Sequence, residues 1–190
     1  MSIGEISLVV VKKLSATELS KLDMAVGFDR WIPTEDAKGR AELKQKLENF
    51  LTGEKEVWAA VEDNLIVGFG VVAEFEGLPG GRTLESLEVA EPYRRRGIGS
   101  GLLSEILRGY GEAIMALMPL PELGYEKELE EFYKRHGFRN FSEDLMIRFP
   151  SDPEKLKWWI TYMDNLLDSY KTLRRKMAEE LPSKAGLNPE

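Results

Sequence analysis

The stretch from Leu84 to Leu107 constrains this chain most, because it combines a strand, a glycine turn and a helix in that order. Residues 84–89 are typical of a strand. Residues 94–101 form a turn with three arginines, followed by glycines at 97, 99 and 101. The helix that follows places apolar residues at three- and four-residue spacing on one side. Those residues are Leu102, Leu103, Ile106, Leu107 and Tyr110.

This turn predicts a binding site for anionic oxygens. Gly97 and Gly99 have no Cβ atom that would keep a ligand away from the backbone. The first N–H groups of the following helix have no partner inside the helix, and they lie at the positive end of its dipole. Arg94, Arg95 and Arg96 add positive charge and planar donor groups suited to phosphate. We therefore expect a phosphate or pyrophosphate cradle.

Two known phosphate-binding motifs fit this turn poorly. A Walker loop ends in Gly-Lys-Ser/Thr, and the turn has no such ending. A dinucleotide fingerprint needs Gly-x-Gly-x-x-Gly after the first strand of a βαβ unit, whereas here the third glycine comes one residue early and the turn lies mid-chain. The remaining structural alternative is a glycine turn whose arginines are simply solvated.

The spacing Arg94-x-x-Gly97-x-Gly99, with Val89 five residues earlier, resembles the acetyl-CoA loop of the GNAT superfamily of N-acetyltransferases. Residues 132–138 resemble the Tyr-x-x-x-Gly-Phe end of that family's fourth helix. The resemblance covers roughly residues 3–150 and implies that acetyl-CoA is the cofactor. It assigns the main chain of Leu87 and Val89 to the pantetheine arm. It assigns the loop to the pyrophosphate, through Arg94, Arg95, Arg96, Gly97, Ile98, Gly99 and Ser100.

The resemblance also implies that Tyr133 acts as the general acid toward the leaving thiolate, which suits a phenol with a pKa of about 10. For the general base, the candidates are the carboxylates of Glu85 and Glu88 on the central strand and of Glu122 after the fifth strand. Glu85 is slightly preferred, and a surface or salt-bridge role is the alternative for each. Many family members have an Asn seven residues before the tyrosine. This chain has Glu126 there, which argues against a phosphate contact at that position.

Hydrophobic periodicity, turn residues and capping signals predict the element order β-α-α-β-β-β-α-β-α-β. This is the GNAT order. It implies an α+β, three-layer fold with a mixed, mostly antiparallel, twisted sheet flanked by helices. The predicted strands cover residues 6–11, 57–62, 65–75, 84–89, 112–118 and 141–149, the last as a strand or strand pair. The first helices run from Ser15 toward Gly27 and over residues 35–51, and a later one over 125–136. Gly68 and Gly70 indicate a bulge or a close approach within their strand.

The chain changes character after Pro150, so we expect an acetyltransferase-like domain over residues 1–150 and a helical extension over 151–190. Residues 151–154 predict a helix start with a capping box and a proline in the first turn. An amphipathic helix of about 28 residues should follow and end at Pro182. Its apolar stripe recurs every seven residues. The stripe must be buried, either on its own domain or against a second copy in a homodimer.

Composition narrows the function classes. A net charge of −7 disfavours nucleic-acid binding, and no run approaches the roughly 18 apolar residues of a membrane span. Without cysteine there is no disulfide, thiolate metal site or cysteine nucleophile, and one histidine rules out a multi-histidine metal site. The N-terminal residues do not have the order of a signal peptide, so we expect a cytoplasmic protein.

These observations and the resemblance together predict an N-acetyltransferase that acts on a primary amine by direct attack in a ternary complex. The acceptor would be a small molecule or a protein, and the loops that contain Trp31 and residues 77–81 are candidates for its border. One alternative is a non-catalytic acyl-CoA-binding module that assembles through its C-terminal helix. Another is a nucleotide-binding protein that uses the glycine turn for a different phosphate ligand.

Overall fold

The computed structural model of the chain describes residues 8–28, 30–78, 80–121 and 123–184, with side chains described as far as residue 177. Part of the predicted first strand, the base candidate Glu122 and the tail from residue 185 therefore lie outside the described residues. The chain separates into two compact units, which meet in sequence at Phe149 and Pro150.

The first unit contains eight described strands and four α-helices. The strands are β1 (Val10–Lys13), β2 (Asp23–Met24), β3 (Glu56–Glu62), β4 (Leu65–Glu74), β5 (Arg82–Val89), β6 (Met115–Leu117), β7 (Arg139–Asn140) and β8 (Met146–Arg148). The helices are α1 (Ala16–Ser20), α2 (Ala37–Thr52), α3 (Ile98–Gly109) and α4 (Glu126–Arg135), with a short 3-10 turn at Glu91–Tyr93 before α3.

All described strands join one sheet in the order β1-β3-β4-β5-β6-β8-β7, with the short β2 paired to β4. Only β5 with β6 and β2 with β4 run parallel, and the other pairs are antiparallel. The predicted mixed, mostly antiparallel sheet flanked by helices is confirmed.

The helices cover both faces of the sheet. Phe69 of β4 contacts the rings of Phe28 and Trp31, in the core that holds the buried leucines of α1 and α2. Its neighbour Gly70 faces α3, because a Cβ there would lie 2.6 Å from the Cδ1 atom of Ile106. Adjacent strand residues point to opposite faces, so α3 lies on the other side of the sheet. The predicted close approach at Gly70 is therefore confirmed.

The β3–β4 hairpin also agrees with the sequence. Asp63 and Asn64 both have positive φ angles, as a two-residue hairpin turn requires. The β3–β4 register shifts between Ala60 and Val61, opposite Gly68, where a bulge was one expectation. The β4–β5 register shifts again between Val71 and Val72, so that Glu85 is the extra residue on β5.

Two boundaries in this unit differ from the predicted ones. Helix α1 ends at Ser20 and not near Gly27, because the chain turns to pair β2 with β4 through the bonds from Asp23 N to Asn64 O and from Ala25 N to Ile66 O. The last predicted element, a strand or strand pair over residues 141–149, is a pair whose first strand begins earlier, at Arg139. A turn separates the two strands, and in it the N–H groups of Phe141 and Ser142 donate to the carbonyl of Leu145.

The second unit is one long helix, α5 (Pro153–Lys184). Asp152 caps it by accepting from the N–H groups of Glu154 and Lys155, so the cap lies one residue later than a capping box at Ser151 would place it. The helix continues past Pro182, where it was expected to end, to Lys184. None of the helices in the described ranges is long and apolar enough to cross a membrane.

Candidate functional site

A gap opens in the sheet between β5 and β6. The two strands pair in parallel only through Arg82 with Met115 and Thr83 with Ala116, whereas β5 continues to Val89 and pairs with β4 along its length. From Leu84 onward, one side of β5 therefore faces no neighbouring strand among the described residues. The extra residue at Glu85 lies where the two strands separate, and a bulge at such a point bends and twists the strand.

The main chain of Leu87 and Val89, which the resemblance assigns to the pantetheine arm, lies along this gap. The N–H group of Ala90 donates to the carbonyl of Val67 on β4, so Ala90 faces β4. By the two-residue alternation of a strand, Val89 and Leu87 direct their N–H and C=O groups the other way, toward the gap. The Nε atom of Arg94 donates to the Val89 carbonyl at 3.1 Å, which is consistent with that direction.

A cavity of about 270 Å³ occupies the gap. Strand β5 contributes residues 84–88, α4 contributes Leu129 and Tyr133, and the loop before α2 contributes Arg30 and Trp31. Most of the remaining wall is apolar and comes from the end of β6 and the segment after it. Trp31 thus borders this cavity, whereas the described residues of the 77–81 loop line neither this cavity nor the larger one below.

The glycine turn leads into α3 as the sequence predicts. Gly97 is the N-cap residue with a φ of 81°, a left-handed conformation that favours glycine, and no side chain caps the helix. The N–H groups of Ile98, Gly99 and Ser100 therefore have no acceptor in a capping side chain. A Cβ added at Gly97 or Gly101 would meet no described atom within 4 Å, so the turn faces open space. Such a turn can accept the oxygens of a phosphate group.

The three arginines of the turn have different surroundings. Arg94 and Arg95 line a second cavity of about 840 Å³, and Arg95 has a positive φ of 61°. Arg96 points elsewhere and forms two hydrogen bonds, at 2.5 and 3.2 Å, with the nearly buried carboxylate of Glu62. Its guanidinium also lies over the ring of Tyr93. The structure thus gives Arg96 a partner in the fold and leaves Arg94 and Arg95 at the cavity.

The larger cavity is rich in cationic side chains. Arg30 from the loop before α2 and Arg135 from the end of α4 join Arg94 and Arg95 in its wall, together with the carboxylates of Glu91 and Glu128. Arg30 and Leu129 line both cavities, so the two cavities adjoin. The arrangement suits an elongated ligand with an anionic end at the arginines and a less polar end in the gap.

Tyr133, Glu88 and Arg30 meet at the small cavity. Tyr133 is 7% exposed, packs against the rings of Phe132 and Phe138, and has no hydrogen-bond partner for its hydroxyl among the described residues. Burial raises the pKa of Tyr133 to about 12; the negative charge of Glu88 adds to this rise and the positive charge of Arg30 opposes it. The Glu88 carboxylate lies 3.8 Å from the guanidinium of Arg30, and its side chain is 15% exposed.

Glu85 also lines the small cavity, but its carboxylate has a lysine partner. Its carboxylate accepts two hydrogen bonds from the Nζ atom of Lys55, at 2.6 and 2.9 Å. The residue is exposed, and only Glu88 of the two strand carboxylates is electrostatically coupled to Tyr133. This is the salt-bridge alternative that the sequence left open for Glu85.

Two further residues have structural roles. Glu126 accepts a hydrogen bond from the N–H of Gly124 at the start of α4, and backbone hydrogen bonds lower its pKa. It lines neither cavity. His136 is held by a contact from its Nδ1 atom to the Phe132 carbonyl and by the Phe132 ring. The described residues contain no group of three or more side chains suited to a metal ion.

Arg30 and Arg135 were not predicted as site residues. Arg30 also donates to the Leu120 carbonyl at 2.6 Å, and so links the segment after β6 to Glu88 on β5. The hydroxyl of Thr34 fixes the start of its loop by accepting from the N–H groups of Gly27 and Phe28. No sequence spacing identifies an arginine in such a loop. Arg135 lies inside the recognised 132–138 stretch, and its helix-end position was the available signal.

Comparison with known proteins matches part of this chain to one family model. The family model described as "Acetyltransferase (GNAT) domain" matches residues 53–140. No curated protein matches the chain.

Several solved structures share the fold. An acetoin utilization protein from Exiguobacterium sibiricum 255-15 aligns with a TM-score of 0.62 at 18% identity, over 85% of this chain and 89% of that one. An acetyltransferase of the GNAT family from Staphylococcus aureus Mu50 aligns with a TM-score of 0.50 at 16% identity, over 74% and 98%. AtaTR, whose structure was solved with acetyl-CoA bound, aligns with a TM-score of 0.51 at 14% identity, over 80% and 98%.

Proposed function

We propose that this chain, which matches the GNAT acetyltransferase model over residues 53–140, uses acetyl-CoA and transfers its acetyl group to a primary amine by direct attack in a ternary complex. The observation that carries the proposal is the adjacency of the two cavities: Arg94 and Arg95, from the turn that leads into the uncapped start of α3, line one of them, and Tyr133 and Glu88 line the other. The acceptor is a small molecule or a protein amine. We place the reaction in the cytoplasm, since a chain without cysteine needs no oxidising compartment.

The residues present fit acetyl-CoA. The N–H groups of Ile98, Gly99 and Ser100 and the side chains of Arg94 and Arg95 would hold the pyrophosphate. The main chain of Leu87 and Val89 would hold the amides of the pantetheine arm in the gap, as an added strand does. When bound, acetyl-CoA supplies the thioester carbonyl that an amine attacks. Arg96 is assigned to the fold, because Glu62 already engages its guanidinium.

Tyr133 is assigned the role of hydrogen-bond donor to the leaving sulphur. Its hydroxyl lies at the small cavity, and a pKa of about 12 keeps it protonated at every pH at which the protein would work. A protonated hydroxyl with no acceptor among the described residues can donate a hydrogen bond to the sulphur that leaves. No covalent enzyme intermediate is needed, in agreement with the missing cysteine.

Glu88 is assigned as the general base. An aliphatic amine with a pKa of about 10 is mostly protonated at neutral pH and must lose a proton before it attacks. The Glu88 carboxylate lies in the wall of the small cavity and can accept that proton directly or through water. The guanidinium of Arg30 lies 3.8 Å from this carboxylate. Glu85, the base that the sequence slightly preferred, is less suited because Lys55 occupies both of its oxygens.

The test compares Glu88→Gln with Glu85→Gln in a CoA-release assay with acetyl-CoA and a panel of primary amines. We expect Glu88→Gln to lower kcat about 100-fold, the usual scale of general-base catalysis, with no change in acetyl-CoA affinity. Glu85→Gln is the matched control on the same strand, and its kcat should stay within about twofold of the original. If kcat falls equally in both variants, or does not fall in Glu88→Gln, Glu88 is not the general base. Tight acetyl-CoA binding without turnover of any amine would favour the non-catalytic module.

A further inference from the structure

Helix α5 presents an apolar surface to solvent. Five large apolar residues recur at intervals of three or four on one side of the helix, and we call this row the seam. Its residues are Met163, Leu167, Tyr170, Leu173 and Met177. Each of them is between 44% and 60% exposed. Isolated apolar residues on a surface are ordinary, but five in one continuous row along about 21 Å of helix indicate an interaction surface.

We propose that this seam pairs with the same seam of a second copy of the chain, with the two α5 helices antiparallel and Tyr170 at the two-fold axis. In that register Met163 faces Met177 of the second copy, and Leu167 faces Leu173. The pattern is self-complementary, as a two-fold interface requires. The inference does not depend on the catalytic proposal, because no seam residue lines the small or the larger cavity.

The charges along α5 select the antiparallel direction. Between Ile160 and Ser169 the charged residues are Asp164 and Asp168, both acidic. Between residues 171 and 177 they are all basic: Lys171, Arg174, Arg175 and Lys176. An antiparallel pair places the acidic half of one helix beside the basic half of the other, twice. A parallel pair would place the two basic halves side by side, where like charges repel.

The available area is consistent with a second copy as the occupant. Five side chains of this size at half exposure offer roughly 100 Å² each, so a pair would bury about 1,000 Å² in total. That area is at the lower limit for a specific interface. We therefore expect a dimer that dissociates in the micromolar range and that is measurable by dilution.

Sedimentation of the full chain, from about 1 to 200 µM, tests the association. We expect the mean mass to rise from the 21.6 kDa of one chain toward twice that value. Tyr170→Glu and Leu167→Glu should each raise the dimer Kd at least about tenfold, because each buries a charge in the seam. Thr172→Glu, on the far side of the helix, is the matched control and should leave the Kd within about twofold. A chain that stays monomeric throughout, or seam variants that dimerise like the original, would overturn the proposal.

Cysteine cross-linking tests the direction, and the chain has no cysteine of its own to interfere. In the antiparallel pair, residue 163 lies about 21 Å from residue 163 of the second copy along the axis but opposite residue 177. A mixture of Met163→Cys and Met177→Cys chains should therefore form a disulfide-linked dimer under mild oxidation, and neither variant alone should do so. Cross-linking of Met163→Cys with itself would show a parallel pair and overturn the register.

Discussion

Replacement of Tyr133 by phenylalanine removes one hydroxyl and leaves the ring packing against Phe132 and Phe138 in place. Burial and the charge of Glu88 raise the pKa of Tyr133 to about 12. A thiol has a pKa of about 8.5, so moving the proton from this phenol to a thiolate is uphill by roughly 5 kcal/mol. We therefore expect the hydroxyl to stabilise the leaving sulphur by donating a hydrogen bond, and not by the full proton transfer that the sequence suggested.

A hydrogen bond to a charged group contributes about 1.5–3 kcal/mol, so Tyr133→Phe should lower kcat roughly 10- to 150-fold. Acetyl-CoA affinity should not change. The assay is CoA release at saturating acetyl-CoA between about pH 6 and 11. Because the pKa is raised, the hydroxyl stays protonated until the pH approaches 12. Neither the original chain nor the variant should therefore lose activity from this residue's ionisation in that range.

Tyr110→Phe is the matched control. Burial likewise raises the pKa of Tyr110 to about 12, but its hydroxyl bonds Glu56 and it lines neither cavity. That variant should lose stability and keep its kcat. An unchanged kcat in Tyr133→Phe would refute the assignment. So would an alkaline fall with an apparent pKa near 9 or 10 in the original chain that disappears in Tyr133→Phe, since it would show that the hydroxyl ionises there.

The remaining predictions concern the turn and its anchoring. Arg95→Ala should weaken acetyl-CoA binding without changing the melting temperature, whereas Arg96→Ala should lower the melting temperature, because it leaves the carboxylate of Glu62 without its partner. Calorimetry and thermal unfolding of both variants separate these effects, and reversed results would contradict the assignment. Gly27→Ala should cost about 1–3 kcal/mol, since φ is 103° and the new Cβ would lie 2.7 Å from Pro92. Urea unfolding measures this cost, with Gly101→Ala, whose Cβ would meet no described atom within 4 Å, as the control that should not destabilise.

The parts of the fold that sequence could predict are those set by local chemistry. The strand, glycine turn and helix around Gly97 depend on periodicity and on a positive φ angle, and the structure contains all three. The hairpin at Asp63–Asn64 depends on a turn that only a few residue types accept. Strand β2 could not be predicted in this way. It is only two residues long, and it is held by hydrogen bonds to the β3–β4 turn and to β4, which lie about 40 residues later in the chain.

In the candidate site, too, the sequence identified some residues, whereas the roles of others depend on contacts that only the fold creates. Arg94 and Arg95 were identified from the turn and Tyr133 from the family resemblance, and all three line the two adjoining cavities, whereas residues 96–100 line neither. The distinction between Glu85 and Glu88 was not available from sequence. It depends on Lys55, which is 30 residues away from Glu85 in the chain, and on Arg30, which reaches Glu88 from a loop. Likewise, the partner that holds Arg96 in the fold comes from the end of β3.

The most direct test of the account is a calorimetric titration of the full chain with acetyl-CoA and, separately, with ATP. The turn, the uncapped start of α3 and the gap beside β5 predict micromolar binding of acetyl-CoA and no comparable binding of ATP. An Arg94→Ala, Gly99→Trp variant, confirmed as folded by circular dichroism, should lose that binding because the indole would fill the turn. If the folded original chain does not bind acetyl-CoA, or binds ATP equally well, the central claim is contradicted.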